Sequence, residues 1–221
     1  MCRICGRPMP VAGVCATCKR APPPIDGIRS ALVHENGARQ AIHFFKYKNR
    51  PSLADPLAET LADAWRKDPL PIDIITAVPL HIARERERGY NQSNLLAKAF
   101  ARQVDKPVST DILTRVRHTR AQVGLSAADR QKNVRGAFTC RSEKPPMQPS
   151  ASLDTTEDRQ ADAPLIPHQS PVQGKQVLVI DDVCTTGATL EACSLALKQA
   201  GATAVWGLTL ARPAHPDGGS R

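Results

Sequence analysis

Aromatic side chains are scarce: Phe, Trp and Tyr together make up 4 % of the 221 residues. Proteins that grip unpaired bases by stacking need several rings along one groove, so the scarcity argues against broad base stacking. Long apolar runs are missing as well. No stretch approaches the roughly eighteen consecutive apolar residues of a membrane span, and the opening Met1-Cys2-Arg3-Ile4-Cys5 has no apolar signal core. A cytoplasmic protein without membrane insertion is expected. Internal repeats are absent too.

The chain is long enough for one sizeable domain plus a small appendage, and 41 % hydrophobic residues supply an ordinary core. Lys and Arg number 30 against 21 Asp and Glu, a net charge of +9. The excess is concentrated between His81 and Arg135, where twelve basic residues face five acidic ones. Something anionic is expected against that stretch, and phosphates of a small molecule or of a nucleic acid fit equally.

Four of the seven cysteines crowd into the first eighteen residues as Cys2-x-x-Cys5 and Cys15-x-x-Cys18. Two such chelating pairs suit a tetrahedral Zn²⁺, and an appendage of about twenty residues cannot bury enough surface to fold without metal or disulfide. With sulfur at all four positions the zinc is structural and has no open position for water. Disulfides are the alternative, disfavoured in a reducing compartment. Cys140 and Cys193 read as core or incidental. A knuckle of this kind either contacts a partner or clips the N-terminus to the main domain.

Ala21-Pro22-Pro23-Pro24 reads as a stiff linker, setting a boundary between residues 1–24 and a main domain over 25–221. In that domain, patterning predicts a strand over Ile28–His34, a turn at Glu35-Asn36-Gly37, and helices over Ala38–Phe45 and Leu53–Trp65. A buried strand follows over Ile72–Leu80 and a helix over Asn91–Val104. A stretch at about 141–172, rich in Pro, Ser, Thr, Asp and Gln, reads as a disordered insertion. A strand over Gln176–Ile180, a helix over Leu190–Ala200 stopped by Gly201, and a strand over Ala204–Leu210 complete the chain. Near-continuous apolar strands alternating with helices imply an α/β fold, a mostly parallel sheet with helices on both faces.

The run Val177-Leu178-Val179-Ile180-Asp181-Asp182-Val183-Cys184-Thr185-Thr186-Gly187-Ala188-Thr189 carries the chemistry. A parallel strand, two acids, a Thr/Gly loop and a helix start place the loop at the carboxyl edge of the sheet, where ligands of such folds sit. Successive backbone N–H groups, three hydroxyls and a helix N-terminus suit a phosphate, and Gly187 permits close approach. Asp181 and Asp182 repel that phosphate but suit ribose hydroxyls and a Mg²⁺ shared with pyrophosphate. Helix capping alone accounts for a bare Asp-x-x-Thr; the full run resembles the phosphoribosyl pyrophosphate signature of type I phosphoribosyltransferases. The resemblance implies that the acids contact the 2′- and 3′-hydroxyls while Val183 to Thr189 hold the 5′-phosphate. Cys184 then has a structural role.

Val78-Pro79-Leu80-His81 leads into Arg84-Glu85-Arg86-Glu87-Arg88-Gly89-Tyr90-Asn91-Gln92-Ser93, a strand end, a basic turn and a helix start. Arg86 and both Glu residues fit a self-compensating solvated face, which leaves Arg84 and Arg88 as candidates for pyrophosphate. Lys46, Tyr47 and Lys48 lie where they can reach a ligand, but an exposed basic turn is the better account. Together with Arg115-Val116-Arg117-His118-Thr119-Arg120-Ala121-Gln122 and Asp129-Arg130-Gln131-Lys132-Asn133-Val134-Arg135-Gly136, these blocks resemble the ComF family of competence and GntX-like proteins, over nearly the whole chain.

That resemblance implies a type I phosphoribosyltransferase-like sheet with an N-terminal zinc knuckle of four cysteines, and a link to natural transformation. By position, 117–135 matches the mobile basic cover of related amidophosphoribosyltransferases. Arg117, Thr119, Gln122 and Arg130 either close over the ligand or pack the loop onto the core. Two functions of different class remain open. One is a Mg²⁺-dependent phosphoribosyltransferase that displaces pyrophosphate at C1′ of phosphoribosyl pyrophosphate. The other is a non-catalytic protein of the DNA-uptake machinery that binds single-stranded DNA.

Overall fold

The computed structural model describes residues 1–119, 126–141 and 170–214. Most of the Pro-rich stretch expected at about 141–172, and Gln122, therefore lie outside the described residues. In chain order the elements are α1 (Ala16–Arg20), β1 (Gly27–Val33), α2 (Asn36–Tyr47), α3 (Ala54–Lys67), β2 (Ile74–Ala77), α4 (Ile82–Arg88) and α5 (Gln92–Val104). After them come β3 (Leu113–Arg115), α6 (Ala127–Val134), β4 (Phe138–Cys140), β5 (Gln176–Val183), α7 (Ala188–Gln199) and β6 (Ala204–Arg212).

Four strands form one sheet in the order β1-β6-β5-β2, and every neighbouring pair is parallel. β5 is central, and its apolar residues alternate between two cores. Leu178 and Ile180 join Phe45, Leu61, Trp65, Leu96 and Phe100 on the side of α2, α3 and α5. Val177 and Val179 join Ile28, Leu190, Leu197 and Phe138 on the side of α7. Burial on both faces is why the strand reads as an unbroken apolar run, each large side chain contributing about 1.5–3 kcal/mol. The expected α/β fold, a parallel sheet with helices on both faces, is the one observed.

Two features depart from the sequence reading. Residues 82–88 form the helix α4, not a turn; only Ile82 in it is large and apolar, and it is 55 % exposed, so no buried stripe marks the helix. The antiparallel pair β3–β4 and the helix α6 are not evident from the sequence either. Three-residue strands are too short for a readable alternation.

The N-terminal knuckle is fastened to the strand β1. The Ile28 amide donates to the Ile4 carbonyl (2.7 Å), and the Arg29 guanidinium donates to the Arg3 carbonyl (3.0 Å). Gly6 adopts φ +68°, and a Cβ there would lie 2.5 Å from the Ile28 carbonyl oxygen. Only glycine allows this approach. The linker is fastened as well, since the Ser194 hydroxyl of α7 donates to the Pro24 carbonyl (2.9 Å).

Candidate functional site

β5 ends in Asp181, Asp182 and Val183, and the chain turns through 184–187 into α7. Alternation along the strand turns the two carboxylates to opposite sides of the sheet edge. Asp182 is 3 % exposed, and Lys46 Nζ of α2 lies 2.7 Å from its Oδ1. Its Oδ2 is buried and has no hydrogen-bond partner among the described residues. Asp181 is half-buried, and its Oδ1 accepts from the Ser93 hydroxyl at the start of α5 and from the Asp182 amide, both at 2.9 Å.

Burial and the adjacent Asp182 push the Asp181 carboxyl up to about 7, against the opposing pull of Lys46. Burial alone would lower the Lys46 ammonium, yet the Asp182 carboxylate outweighs it and leaves the group above its ordinary value. Lys46 is thus not part of an exposed basic turn. It sits in the last turn of α2, which points it across the sheet edge at the acid pair.

Gly187 caps α7 with φ +93°, where a Cβ would meet Ile28 Cδ1 at 3.2 Å. Thr185, Thr186 and Gly187, with Val183, Cys184, Ala188 and Thr189, line a small hollow at the start of the helix, where the Ala188 amide donates to the Thr186 hydroxyl (3.4 Å). Cys184 is buried, and its Sγ accepts from the Arg212 guanidinium at 2.7 Å. Arg212 also donates to the Cys5 carbonyl, so one buried arginine joins the loop after β5 to the cysteine knuckle. Nothing in the sequence marks Arg212, which closes the last strand.

Asp181, Asp182, Val183, Thr185 and Thr189 open onto a cavity of about 320 Å³. Arg84 and Arg88 line it as well, one helical turn apart on α4, whereas Arg86 and Glu87 are exposed. Arg115 and Arg130 line it too. Arg88 lies over the Tyr47 ring (5.2 Å), and Arg115 over the Phe138 ring (5.3 Å). Burial and the nearby Arg84 hold the Arg115 guanidinium below its usual range, and its Nε is buried without a partner among the described residues. Burial, with Lys46 and Arg39 nearby, lowers His34, another lining residue.

The candidates between 117 and 130 divide. Arg130 lines the cavity. Arg117 is exposed and donates to the carbonyls of Asn133 (3.0 Å) and Arg135 (2.6 Å), packing the loop onto the end of α6. Thr119 is buried and accepts from Arg115, holding that guanidinium in place. The two middle motifs meet where the His81 and His118 rings stand edge to face, 4.9 Å apart.

At the other end of the chain, the thiol sulfurs of Cys2, Cys5, Cys15 and Cys18 all lie within 4.8 Å of one another. Cys5 Sγ and Cys15 Sγ are 3.8 Å apart. That matches the edge of a tetrahedron with metal–sulfur bonds of about 2.3 Å and is far from a covalent S–S bond. Burial opposes ionisation of Cys2, but N–H groups of Cys15, Cys5 and Ile4 bring its thiol to about 6. The four cysteines can hold a metal ion such as zinc.

The chain is 31 % identical over 214 residues to DNA utilization protein YhgH of Salmonella typhi, an alignment covering 93 % of this chain and 82 % of that protein. It is also 34 % identical over 177 residues to competence protein F of Haemophilus influenzae, covering 77 % of this chain and 66 % of that one. The chain belongs to the ComF family. Competence protein ComFC of Bacillus subtilis is a more distant member, 24 % identical over 220 residues, 96 % of this chain and 78 % of that one. No family model matches the chain. Among solved structures, the glutamine phosphoribosylpyrophosphate amidotransferase of B. subtilis aligns at TM-score 0.45 and 18 % identity, covering 76 % of this chain and 30 % of that one. The purine phosphoribosyltransferase of Pyrococcus horikoshii aligns at TM-score 0.36 and 17 % identity, covering 73 % and 83 %. No described helix of this ComF-family chain is long and apolar enough to cross a membrane.

Proposed function

We propose that the cavity at the end of β5 binds phosphoribosyl pyrophosphate or a related phosphoribosyl ligand, and that the chain is a Mg²⁺-dependent phosphoribosyltransferase. The observation that carries this reading is one cavity lined by the acid pair, by threonines of the following loop and by four arginines. The amides and hydroxyls of Val183 to Thr189 take the 5′-phosphate, favoured by the positive end of α7. Asp181 and Asp182 accept from the ribose 2′- and 3′-hydroxyls, and the unsatisfied Asp182 Oδ2 suits that role.

Arg84, Arg88, Arg115 and Arg130 face the pyrophosphate. As the C1′–oxygen bond breaks, its electron pair leaves with pyrophosphate, and these guanidiniums stabilise the growing charge while an acceptor's lone pair closes on C1′. The orphaned Asp182 oxygen also fits the donor set of Mg²⁺, which when bound neutralises pyrophosphate charge. Zn²⁺ in the four-cysteine knuckle is structural, and the knuckle with its linker (1–24) is an appendage of the phosphoribosyltransferase-like domain (25–221).

A second reading is favoured by the relatives' names, DNA utilization protein and competence proteins. In it the site is non-catalytic, and the basic stretch holds single-stranded DNA for the uptake machinery through phosphate contacts. Calorimetric titration with phosphoribosyl pyrophosphate and Mg²⁺, followed by an assay for released pyrophosphate, separates the two. Saturable binding with acceptor-dependent release is expected, and it should disappear in the double variant Asp181→Asn, Asp182→Asn. Binding without release supports the second reading. Wild-type protein that binds nothing overturns both the ligand and the chemistry.

A further inference from the structure

We propose that the cleft between the end of α2 and α4 is a second ligand subsite, which takes a heteroaromatic compound carrying its own carboxylate or phosphate. On the phosphoribosyl reading, on which this part of the inference rests, that compound is the acceptor; the binding itself belongs to the protein alone. The cleft has a volume of about 530 Å³ and is lined by Lys46, Tyr47, Asn49, Arg84, Glu87 and Arg88. Lys46, Tyr47, Arg84 and Arg88 also line the cavity at the end of β5, so the two spaces adjoin. No residue of the acid pair or the threonine loop lines the second one. A ligand there meets a different chemistry from the one a ribose phosphate needs.

The preference for a ring comes from Tyr47. Of the eight Phe, Trp and Tyr side chains, two are exposed, Phe44 at 40 % and Tyr47 at 61 %. A ring left in water forgoes the burial through which aromatics stabilise a fold, and Tyr47 forgoes it at the lip of a cleft. Its orientation is fixed all the same. The His43 ring lies 5.2 Å away in the preceding turn of α2, and the Arg88 guanidinium lies 5.2 Å from the Tyr47 ring centre. A ring held in this way is a platform for a planar ligand and has little freedom left to lose on binding.

The negative group follows from the arginines. Arg84 and Arg88 stand one turn apart on α4, both half-buried. Arg88 also donates to Gln92 Oε1, so its guanidinium is positioned before any ligand arrives. Lys46 is already engaged, its Nζ 2.7 Å from Asp182 Oδ1. Neither Arg84 nor Glu87 forms an ion pair among the described residues. Two arginines against one carboxylate leave the cleft positive, and a planar guanidinium matches the paired oxygens of a carboxylate or phosphate. Asn49 and Glu87 complete the lining. The chain leaves α2 through Asn49 at φ +47°, a conformation that asparagine tolerates. Its amide both donates and accepts, while the Glu87 carboxylate only accepts. A ring N–H beside a ring carbonyl satisfies both.

The test is calorimetric titration of the full-length protein with two matched pairs of probes, orotate against uracil and uridine 5′-monophosphate against uridine. Each is run with and without saturating ribose 5-phosphate, which fills the threonine loop on the phosphoribosyl reading. The charged member of at least one pair should bind roughly tenfold or more tightly than its neutral partner, the value of a charge-assisted contact. It should still bind with ribose 5-phosphate present. A preference confined to orotate supports the subsite and assigns a carboxylate; one confined to uridine 5′-monophosphate supports it and assigns a phosphate. Tyr47→Ala should weaken the charged probe about tenfold, the loss of one stacked ring, and Tyr47→Phe should keep its affinity. Arg84→Ala should weaken the charged probe by a similar factor and leave the neutral one unchanged. Phe44→Ala, exposed on the same helix but outside the lining, should change nothing. Equal affinity within both pairs, displacement by ribose 5-phosphate, or an unmoved affinity in Tyr47→Ala overturns the subsite. A separate titration with phosphoribosyl pyrophosphate and Mg²⁺ divides the two claims. If wild type binds that ligand but neither charged probe, the subsite falls and the phosphoribosyl reading stands; if the probes bind as stated and that ligand does not, the reading falls and the subsite stands.

Discussion

Replacing Arg212 with methionine removes a guanidinium that is 8 % exposed and that joins two parts of the molecule. It donates to Cys184 Sγ at 2.7 Å, to the Cys5 carbonyl, and at the long distance of 3.5 Å to the Cys184 carbonyl. Two firm hydrogen bonds from a charged donor stabilise the fold by about 1.5–3 kcal/mol each, and the 3.5 Å contact adds little. Against this, methionine spares the cost of keeping a cation out of water, which is several kcal/mol for a buried ion. The net loss should be about 2 kcal/mol. With a urea dependence of about 2 kcal/mol per molar for a chain of this size, the unfolding midpoint should fall by about 1 M. Amide exchange should also accelerate at both ends of the bridge, near Cys5 and near Cys184, while the centre of β5 is slowed or quickened only with global stability. Arg212→Lys should recover a minority of the loss, because a point charge cannot span both acceptors. An unmoved midpoint, or faster exchange at one end alone, refutes the bridge.

Four further outcomes are expected. Metal analysis of protein purified without added zinc should find about one Zn per chain, and chelation should release residues near the N-terminus while the parallel sheet persists by circular dichroism. Gly187→Ala should cost about 1–2 kcal/mol from the left-handed conformation and weaken phosphoribosyl pyrophosphate binding, since the loop must shift; unchanged affinity in calorimetry counts against the loop as the phosphate site. Arg84→Ala with Arg88→Ala should weaken that ligand more than ribose 5-phosphate, and equal losses would place these arginines away from the pyrophosphate. Asp181 holds its proton up to about 7 in the folded chain but to the ordinary carboxylate value when unfolded. Stability of the ligand-free protein should therefore fall as pH rises from about 4 to about 7, and Asp181→Asn should flatten that slope in thermal melts; a slope unchanged by the variant refutes the assignment.

The parallel sheet is legible because β5 and β2 are buried on both faces, and such strands leave apolar runs that need no tertiary information to read. The acid pair and the threonine loop are legible for a similar reason: they lie within one turn of a strand end, so local chain order fixes their neighbourhood. The contacts of Lys46 and Ser93 with the acid pair are not. Each reaches Asp181 or Asp182 from another element, and a lysine that ends a helix looks the same in sequence whether it faces water or a carboxylate. The arginines of α4 are an intermediate case, since the four-residue spacing of Arg84 and Arg88 selects one helical face and sets Arg86 apart from it. Arg117 and Thr119 show the opposite limit. They sit in a basic block with the residue types a phosphate needs, yet Arg117 spends its donors on backbone carbonyls at the end of α6, and Thr119 orients Arg115. A basic motif therefore names a neighbourhood, and which of its cations meets the ligand depends on which carbonyls the fold leaves unsatisfied nearby. By that criterion, and on the proposed reading of the site, Arg115, half-buried with an unpaired Nε at the cavity wall among the described residues, is better placed for pyrophosphate than the arginine two residues after it.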